Sequence, residues 1–62
     1  MNNYCIKDIN APLYFRGWGR FGEIVMDEQK QYAHRMSRTL AERTIPKIEK
    51  EKGIICKVEK VS

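Results

Sequence analysis

The stretch DEQKQYAHRMSRTLAERTIPKIEKEKG, residues 27–53, predicts one long amphipathic helix. Asp27 suits the N-cap because its side-chain oxygen can accept a hydrogen bond from the first free N–H groups, and Glu28 adds a carboxylate where the helix dipole favours it. Gly53 is a natural residue to end the helix. Largely apolar side chains recur at spacings of three and four, so that one face is apolar for about five turns. They are Ala33, Met36, Leu40, Thr44 and Ile48, with Tyr32, Ala41 and Ile45 beside them.

Pro46 lies inside this helical stretch. A proline in a helix removes one hydrogen bond and crowds the carbonyl of residue i−4, here Glu42. Pro46 falls on the side opposite the apolar stripe, where water can satisfy that carbonyl, so we predict a kinked helix rather than two helices. The alternative is a break at Met36-Ser37, with Ser37 as a new N-cap.

Strand formers occupy three other segments of the chain. Residues 3–9 predict a first strand, which 10–12 (Asn-Ala-Pro) breaks, and 13–16 predict a second strand that pairs with the first as a hairpin. Residues 23–26 are either a short third strand or the run-in to the helix. Residues 54–61 predict the last strand.

These elements predict a single α+β domain over residues 1–62: a small antiparallel sheet of three, or four, strands covered on one face by one amphipathic helix, in the order β-β-(β)-α-β. Free cysteine is among the most buried residue types, so we expect Cys5 and Cys56 to be buried on strands. A disulfide is the alternative if the first and last strands are neighbours. The expected inner face of the sheet comprises Tyr4 or Cys5, Ile6, Leu13, Phe15, Ile54, Cys56 and Val58.

Size and composition argue against an enzyme. A chain of 62 residues has little room for an enclosed active site, and its one histidine, His34, is expected to be solvated at the edge of the helix. The cysteines and His34 have no metal-ligand spacing, so no metal or cofactor is expected. Residues 1–4 carry no secretory signal, and no apolar run approaches the roughly 20 residues needed to span a bilayer. The chain is therefore predicted to be cytoplasmic and not a membrane protein.

The segment RGWGRFG, residues 16–22, is the best candidate for contacts with a partner. It combines flexible glycines with two aromatic and two cationic side chains, Arg16, Trp18, Arg20 and Phe21, which are favoured in protein interfaces. Its first four residues resemble the opening of the RNA-recognition signature K/R-G-F/Y-G/A, but the residues from Arg20 onward depart from it. Stacking on bases with phosphate contacts is therefore one alternative. Another is that Trp18 or Phe21 folds back over the end of the core.

A basic flank on the predicted helix is the second candidate. It comprises Arg35, Thr39, Arg43, Lys47 and Lys50, with no acid among them. The formal net charge of +4, from 12 Lys and Arg against 8 Asp and Glu, favours an acidic partner mildly. The alternative is a solvated face whose long side chains shield the edge of the core.

Four segments together define the layout of nearly the whole chain. They are a Tyr-x-Ile-Lys-Asp first strand, a Pro-Leu-Tyr-Phe second strand, the helix with Ala33, Met36 and Leu40-Ala41, and the segment from Gly53 to Val61. This layout resembles small orphan proteins of bacteriophages and other mobile elements of Gram-positive bacteria. It implies a non-catalytic binding protein inside a bacterial cell, acting on a host protein or a host defence system. The leading expectation is therefore a protein that binds and modulates or inhibits a host protein with an acidic surface. The alternatives are a DNA- or RNA-binding module and a homodimer.

Overall fold

The computed structural model describes residues 3–61, which form a four-stranded antiparallel sheet and one α-helix. The order of the strands across the sheet is β3-β2-β1-β4. The α+β class and the order β-β-β-α-β are confirmed, with the optional third strand present. The elements are β1 (Tyr4–Asp8), β2 (Tyr14–Trp18), β3 (Ile24–Asp27), a short 3₁₀ turn (Lys30–Tyr32), α1 (Arg38–Lys52) and β4 (Cys56–Lys60).

The two central strands of the sheet are joined by an extra piece of chain. The register between β1 and β2 contains only the pair Lys7↔Tyr14. The backbone of residues 34–36 bonds to both strands: the His34 N–H donates to the Phe15 carbonyl at 2.8 Å, and Met36 exchanges hydrogen bonds of 3.1 and 2.8 Å with Tyr4. This segment therefore provides hydrogen-bond partners for backbone groups of β1 and β2 that do not bond to each other.

The helix begins much later than the sequence predicts. Ser37 is its N-cap and accepts a hydrogen bond from the Leu40 N–H at 3.2 Å, so the alternative break at Met36-Ser37 is confirmed and the start at Asp27 is wrong. Asp27 instead ends β3, where its side chain accepts from the Gln29 N–H at 2.8 Å. An aspartate side chain can accept a hydrogen bond from the backbone either at a helix N-cap or in a tight turn. Asp27 forms the turn here, because residues 34–36 bond to the sheet and cannot join a helix.

The end of the helix is as predicted. Gly53 adopts the left-handed conformation (φ 69°), which suits a residue without a Cβ, and its N–H donates to the Glu49 carbonyl at 2.8 Å. Pro46 lies inside α1 on its exposed side. The buried face of α1 comprises Ala41, Thr44 and Ile48. The prediction that Leu40 belongs to this face is wrong, since it is 42% exposed.

The main core lies between α1 and one face of the sheet. Its fully packed members come from every strand, from the helix and from the segment before it, which is why a chain this short can build one core. They are Ile6, Phe15, Ile24, Met36, Ala41, Ile48 and Cys56, with Met26, Ile45, Ile54 and Val58 packed around them.

The opposite face of the sheet is covered by the segment that contains the 3₁₀ turn. Lys30 forms an ion pair with Glu59 on β4 at 3.2 Å, and the Arg16 guanidinium stacks 4.7 Å from the ring centroid of Tyr32. Cys5 lies on this face, because it pairs with Glu59 and alternates with the core residue Ile6. Its side chain is fully buried there.

The two cysteines are free, and the disulfide alternative is wrong. Although β1 and β4 are neighbours, Cys5 is opposite Glu59 whereas Cys56 is opposite Asp8. The two thiols therefore lie on opposite faces of the sheet. Among the described residues no helix is both long and apolar enough to cross a membrane.

Candidate interaction surface

A β-bulge in β2 separates the side chains of the glycine-rich segment. Phe15 pairs with Met26 and Gly17 with Val25, so Arg16 is an extra residue in β2. Gly17 has φ 131°, a conformation that side chains rarely adopt. The extra residue breaks the simple alternation of faces. Trp18, paired with the core residue Ile24, comes to the helix side of the sheet, whereas Arg16 lies on the side of Tyr32.

Trp18 is held by an aromatic cluster. Its ring packs edge-on against Phe15 at 5.0 Å, and His34 lies 5.7 Å from Trp18 and 5.9 Å from Phe15 between ring centroids. The expectation of a solvated His34 on a helix is wrong: it is half-buried and precedes α1. Trp18 remains 48% exposed. It thus covers one end of the core with part of its ring and offers the rest to solvent.

The turn after Trp18 has an ordered backbone and outward side chains. The Gly22 N–H donates to the Gly19 carbonyl at 3.1 Å, and the Glu23 side chain accepts from the Phe21 N–H at 2.9 Å. Phe21 is nevertheless 87% exposed, and Arg20 is exposed beside it. The turn therefore presents an aromatic and a cationic side chain from a fixed backbone.

Arg16 does not join this turn. Its guanidinium bonds to the Asp27 carboxylate at 2.8 Å while it stacks on Tyr32. The pKa of Asp27 is lowered, first by the hydrogen bond from the Gln29 N–H and then by Arg16. Arg16 is thus already paired within the fold, and the structure places it on the other face of the sheet from Trp18.

Three of the four predicted basic residues of the helix flank share a surface. Arg43, Lys47 and Lys50 are exposed on α1, and none of them has a carboxylate within 4 Å in the described part of the chain. Arg35 is an exception, and its predicted place on the helix is wrong. It precedes the N-cap, and its charge acts on the Cys5 thiol, which lies on the face away from α1.

Glu51 joins the helix to the hairpin. Its Oε2 atom accepts a hydrogen bond of 2.7 Å from the backbone N–H of Ile24, the residue that pairs with Trp18. Lys47 lies one turn before Glu51 on the same side of α1, because residues four apart are neighbours on a helix. The C-terminal part of α1, with Lys47 and Lys50, is therefore joined to β3 two residues after the turn.

We call this region the loop–helix surface. It comprises Trp18, Arg20 and Phe21 from the hairpin and Arg43, Lys47 and Lys50 from α1. Sequence reasoning missed Glu51, His34 and the exposure of Leu40. The contacts of Glu51 and His34 reach strands far away in sequence, so no local pattern indicates them. Leu40 lies at the edge of the buried face formed by Ala41, Thr44 and Ile48.

The two thiols, Cys5 and Cys56, are poorly placed for chemistry. Burial, and then the nearby Asp8, raises the pKa of the Cys56 thiol to about 11, and burial followed by Glu59 raises that of Cys5. Beside β3 is an open groove of about 390 Å³ lined by Leu13, Met26, Asp27, Glu28 and Gln29. No cysteine, serine, threonine, lysine or histidine is among these lining residues. Within residues 3–61 no cluster of three or more His, Cys, Asp or Glu side chains could hold a metal ion.

Comparisons with known protein families, with curated proteins and with solved structures gave no match to this chain.

Proposed function

We propose that this chain is a small non-catalytic binding protein of the cytoplasm, which uses the loop–helix surface to bind and modulate or inhibit a host protein with an acidic surface. One observation carries the proposal: the Phe21 side chain is 87% exposed on a hydrogen-bonded turn. Close to it, Trp18 packs against Phe15 and is 48% exposed. The resemblance to small proteins of mobile elements supports a host protein as the partner.

The state of the turn before binding supports a contact role. A backbone that is already hydrogen-bonded loses little further entropy when a partner binds. Trp18 is fixed by Phe15 and His34, so its exposed edge is also preorganised. Aromatic and arginine side chains contribute most often to binding energy in protein interfaces, and this turn presents both.

The charges of the surface support an acidic partner. Arg20, Arg43, Lys47 and Lys50 project from it, and among the described residues none forms an ion pair. Unpaired cations around apolar anchors speed up association with an acidic surface and select against basic ones.

The second candidate function is nucleic-acid binding through the same side chains. It is favoured by Trp18 and Phe21 lying close to Arg20, since bases stack on aromatic rings and phosphates bind guanidinium groups. A salt titration separates the two candidates. Binding to oligo(dT) would weaken linearly in a log–log plot as counterions are released. No affinity for oligo(dT) or duplex DNA at low salt would eliminate this second candidate.

Capture of a partner from a bacterial lysate tests the leading proposal. We compare the intact chain with Arg20→Ala/Phe21→Ala, whose exposed side chains are not needed for folding. Loss of an anchor of this kind typically costs about 2 kcal/mol of binding energy, so the partner should be lost from the variant. The matched control is Ile9→Ala/Ile55→Ala, which trims two half-exposed apolar side chains elsewhere on the molecule. Equal retention by the loop variant and the intact chain would refute the proposal.

A further inference from the structure

Four exposed side chains form a straight seam along α1. Leu40, Arg43, Lys47 and Lys50 are separated by three, four and three residues, the spacing that keeps side chains on one line of a helix. The seam is about 15 Å long, at a rise of 1.5 Å per residue. Leu40, at its first position, is 42% exposed. The seam thus starts with an apolar side chain and continues with three cations.

One carboxylate lies beside the seam, and two lie across the helix from it. Glu51 is next to the line through Leu40 and Lys47, and its side chain is held by the Ile24 N–H. Glu42 and Glu49 lie roughly on the opposite side of α1, where Glu42 is bonded to Arg38 at 3.3 Å. The seam is therefore a charged strip with a carboxylate on its sheet side.

We propose that this seam docks an acidic amphipathic helix supplied by the protein partner. The inference rests on the proposed function and deepens it by naming the chemistry of the partner. Carboxylates on the docked helix, spaced by three and four residues, lie opposite Arg43, Lys47 and Lys50. An apolar residue one turn further along covers Leu40.

The shape of the charged strip favours a helix over a nucleic acid. A polynucleotide carries phosphates along its whole length and gains affinity from every cation within reach, so it is best served by a broad basic surface. Here the three cations form a single line, and Glu51 would repel phosphates on its sheet side. Two helices pack with their axes about 8–10 Å apart along one line of side chains, which is the shape of this seam.

The test uses a synthetic peptide as the probe. It is a helical peptide of about three turns with the seam pattern Leu-x-x-Glu-x-x-x-Glu-x-x-Glu, and its control has the same composition with the glutamates distributed around the helix. We expect measurable binding of the patterned peptide at low salt, at least about tenfold tighter than its control. When the patterned peptide is added, the changes in backbone amide chemical shift of the protein should be concentrated in residues 40–50.

A pair of charge reversals separates the seam from overall charge. Arg43→Glu/Lys47→Glu and Lys57→Glu/Lys60→Glu each replace two positive by two negative charges, so both lower the formal net charge from +4 to 0 (4 − 4 = 0). Lys57 and Lys60 are exposed on β4. Affinity should fall by about tenfold or more in the seam variant and by less than about threefold in the β4 variant. The milder Arg43→Gln/Lys47→Gln gives the same ranking should the reversal perturb the helix.

Four results would overturn the inference: no binding of the patterned peptide, equal binding of both peptides, equal losses in the two reversals, or tighter binding of oligo(dT) than of the peptide. Failure here is distinguishable from failure of the proposed function. A host protein that binds the intact chain but not Arg20→Ala/Phe21→Ala would support the proposed role of the turn in binding, even if the peptide did not bind.

Discussion

At the scale of single residues, the two thiols show how strongly a thin fold shields its side chains. Cys5 and Cys56 lie on opposite faces of one sheet, and both are buried, because the helix covers one face and the 3₁₀ segment the other. Burial disfavours the charged thiolate, so the pKa of each thiol is raised, that of Cys56 to about 11. Reactivity with electrophiles depends on the thiolate and should be suppressed.

We therefore predict that iodoacetamide alkylates the thiols of the native chain slowly at pH 8. Mass spectrometry measures the rate. Against the ordinary value of 9.0, a pKa of about 11 lowers the thiolate fraction of Cys56 by about 100-fold. Unfolding in urea should restore a normal rate at both sites. The same shift makes the fold less stable as pH rises from 9 to 11, because the unfolded chain loses a proton that the folded chain keeps. Alkylation at equal rates with and without urea would contradict the prediction.

The bulge at Arg16 marks the limit of sequence reasoning at this scale. Arg16 and Trp18 are expected to share a contact surface because they lie in one glycine-rich segment, and simple alternation along β2 would also place them on the same face. One extra residue opposite β3 reverses this. Gly17 permits the bulge, but glycine is equally compatible with a turn, so the sequence alone does not distinguish them.

At the scale of elements, the start of α1 is decided by competition between two good capping residues. Asp27 and Ser37 both suit an N-cap by type. A helix from Asp27 would have withdrawn His34 and Met36 from the sheet, leaving the Phe15 carbonyl and both polar groups of Tyr4 without these partners. With the start at Ser37, these groups are bonded and Ala41, Thr44 and Ile48 face the core.

The cap predicts a measurable contribution to stability. Ser37→Ala removes the acceptor for the Leu40 N–H and should lower the free energy of unfolding by about 1 kcal/mol in urea titrations. Ser37→Asp keeps an acceptor and should stay close to the original value. Thr39→Ala, on the exposed side of the same first turn, should change stability by less than about 0.5 kcal/mol. A Ser37→Ala variant as stable as Thr39→Ala would show that the cap is dispensable.

Elements with local signals were predictable, and those without were not. Three strands follow from runs of strand formers bounded by glycine, proline or asparagine, and the helix end follows from Gly53. For residues 23–26, which form β3, a strand was one of two alternatives. The bridging segment 34–36 is different. Its sequence, His-Arg-Met, has no strand character of its own, and its hydrogen bonds go to β1 and β2, which lie earlier in the chain.

At the scale of the whole molecule, Glu51 fixes the position of the helix relative to the hairpin. Its carboxylate accepts a hydrogen bond from the backbone N–H of Ile24 on β3, which is an edge strand of the sheet. A free N–H on an edge strand is a site for unwanted pairing with other chains, and this contact covers it. The same contact joins the helix end that carries Lys47 and Lys50 to the strand that follows the turn.

We expect Glu51→Ala to lower the free energy of unfolding by about 1–2 kcal/mol, because the variant loses a hydrogen bond to a charged group. That is a large share of the total, since a core of this size supplies only about 3–5 kcal/mol. Glu49→Ala is the matched control: it changes the charge identically, yet Glu49 is exposed and its side chain forms no hydrogen bond among the described residues. Calorimetry or urea titration measures both. Equal effects of the two substitutions would mean that Glu51 acts only through its charge.

The candidate site was only partly predictable at this scale. Composition indicated an exposed aromatic and cationic turn and a basic helix side. The structure joins the C-terminal part of α1, with Lys47 and Lys50, to β3 beside the turn through Glu51. It separates Arg16 and Arg35 from the loop–helix surface. Which charges meet depends on the bulge and on the late helix start, and both depend on contacts between distant segments.

The pairing of β1 with β4 has a consequence for the synthesis of this protein. The five residue pairs from Tyr4↔Lys60 to Asp8↔Cys56 join strands with most of the described chain between them. During translation β1 is therefore made before its principal neighbour exists, and contacts so distant in sequence form slowly. We expect Ile6 and Cys5 to stay accessible to water and chaperones until β4 emerges. The newly made polypeptide should be most vulnerable to proteases in that interval.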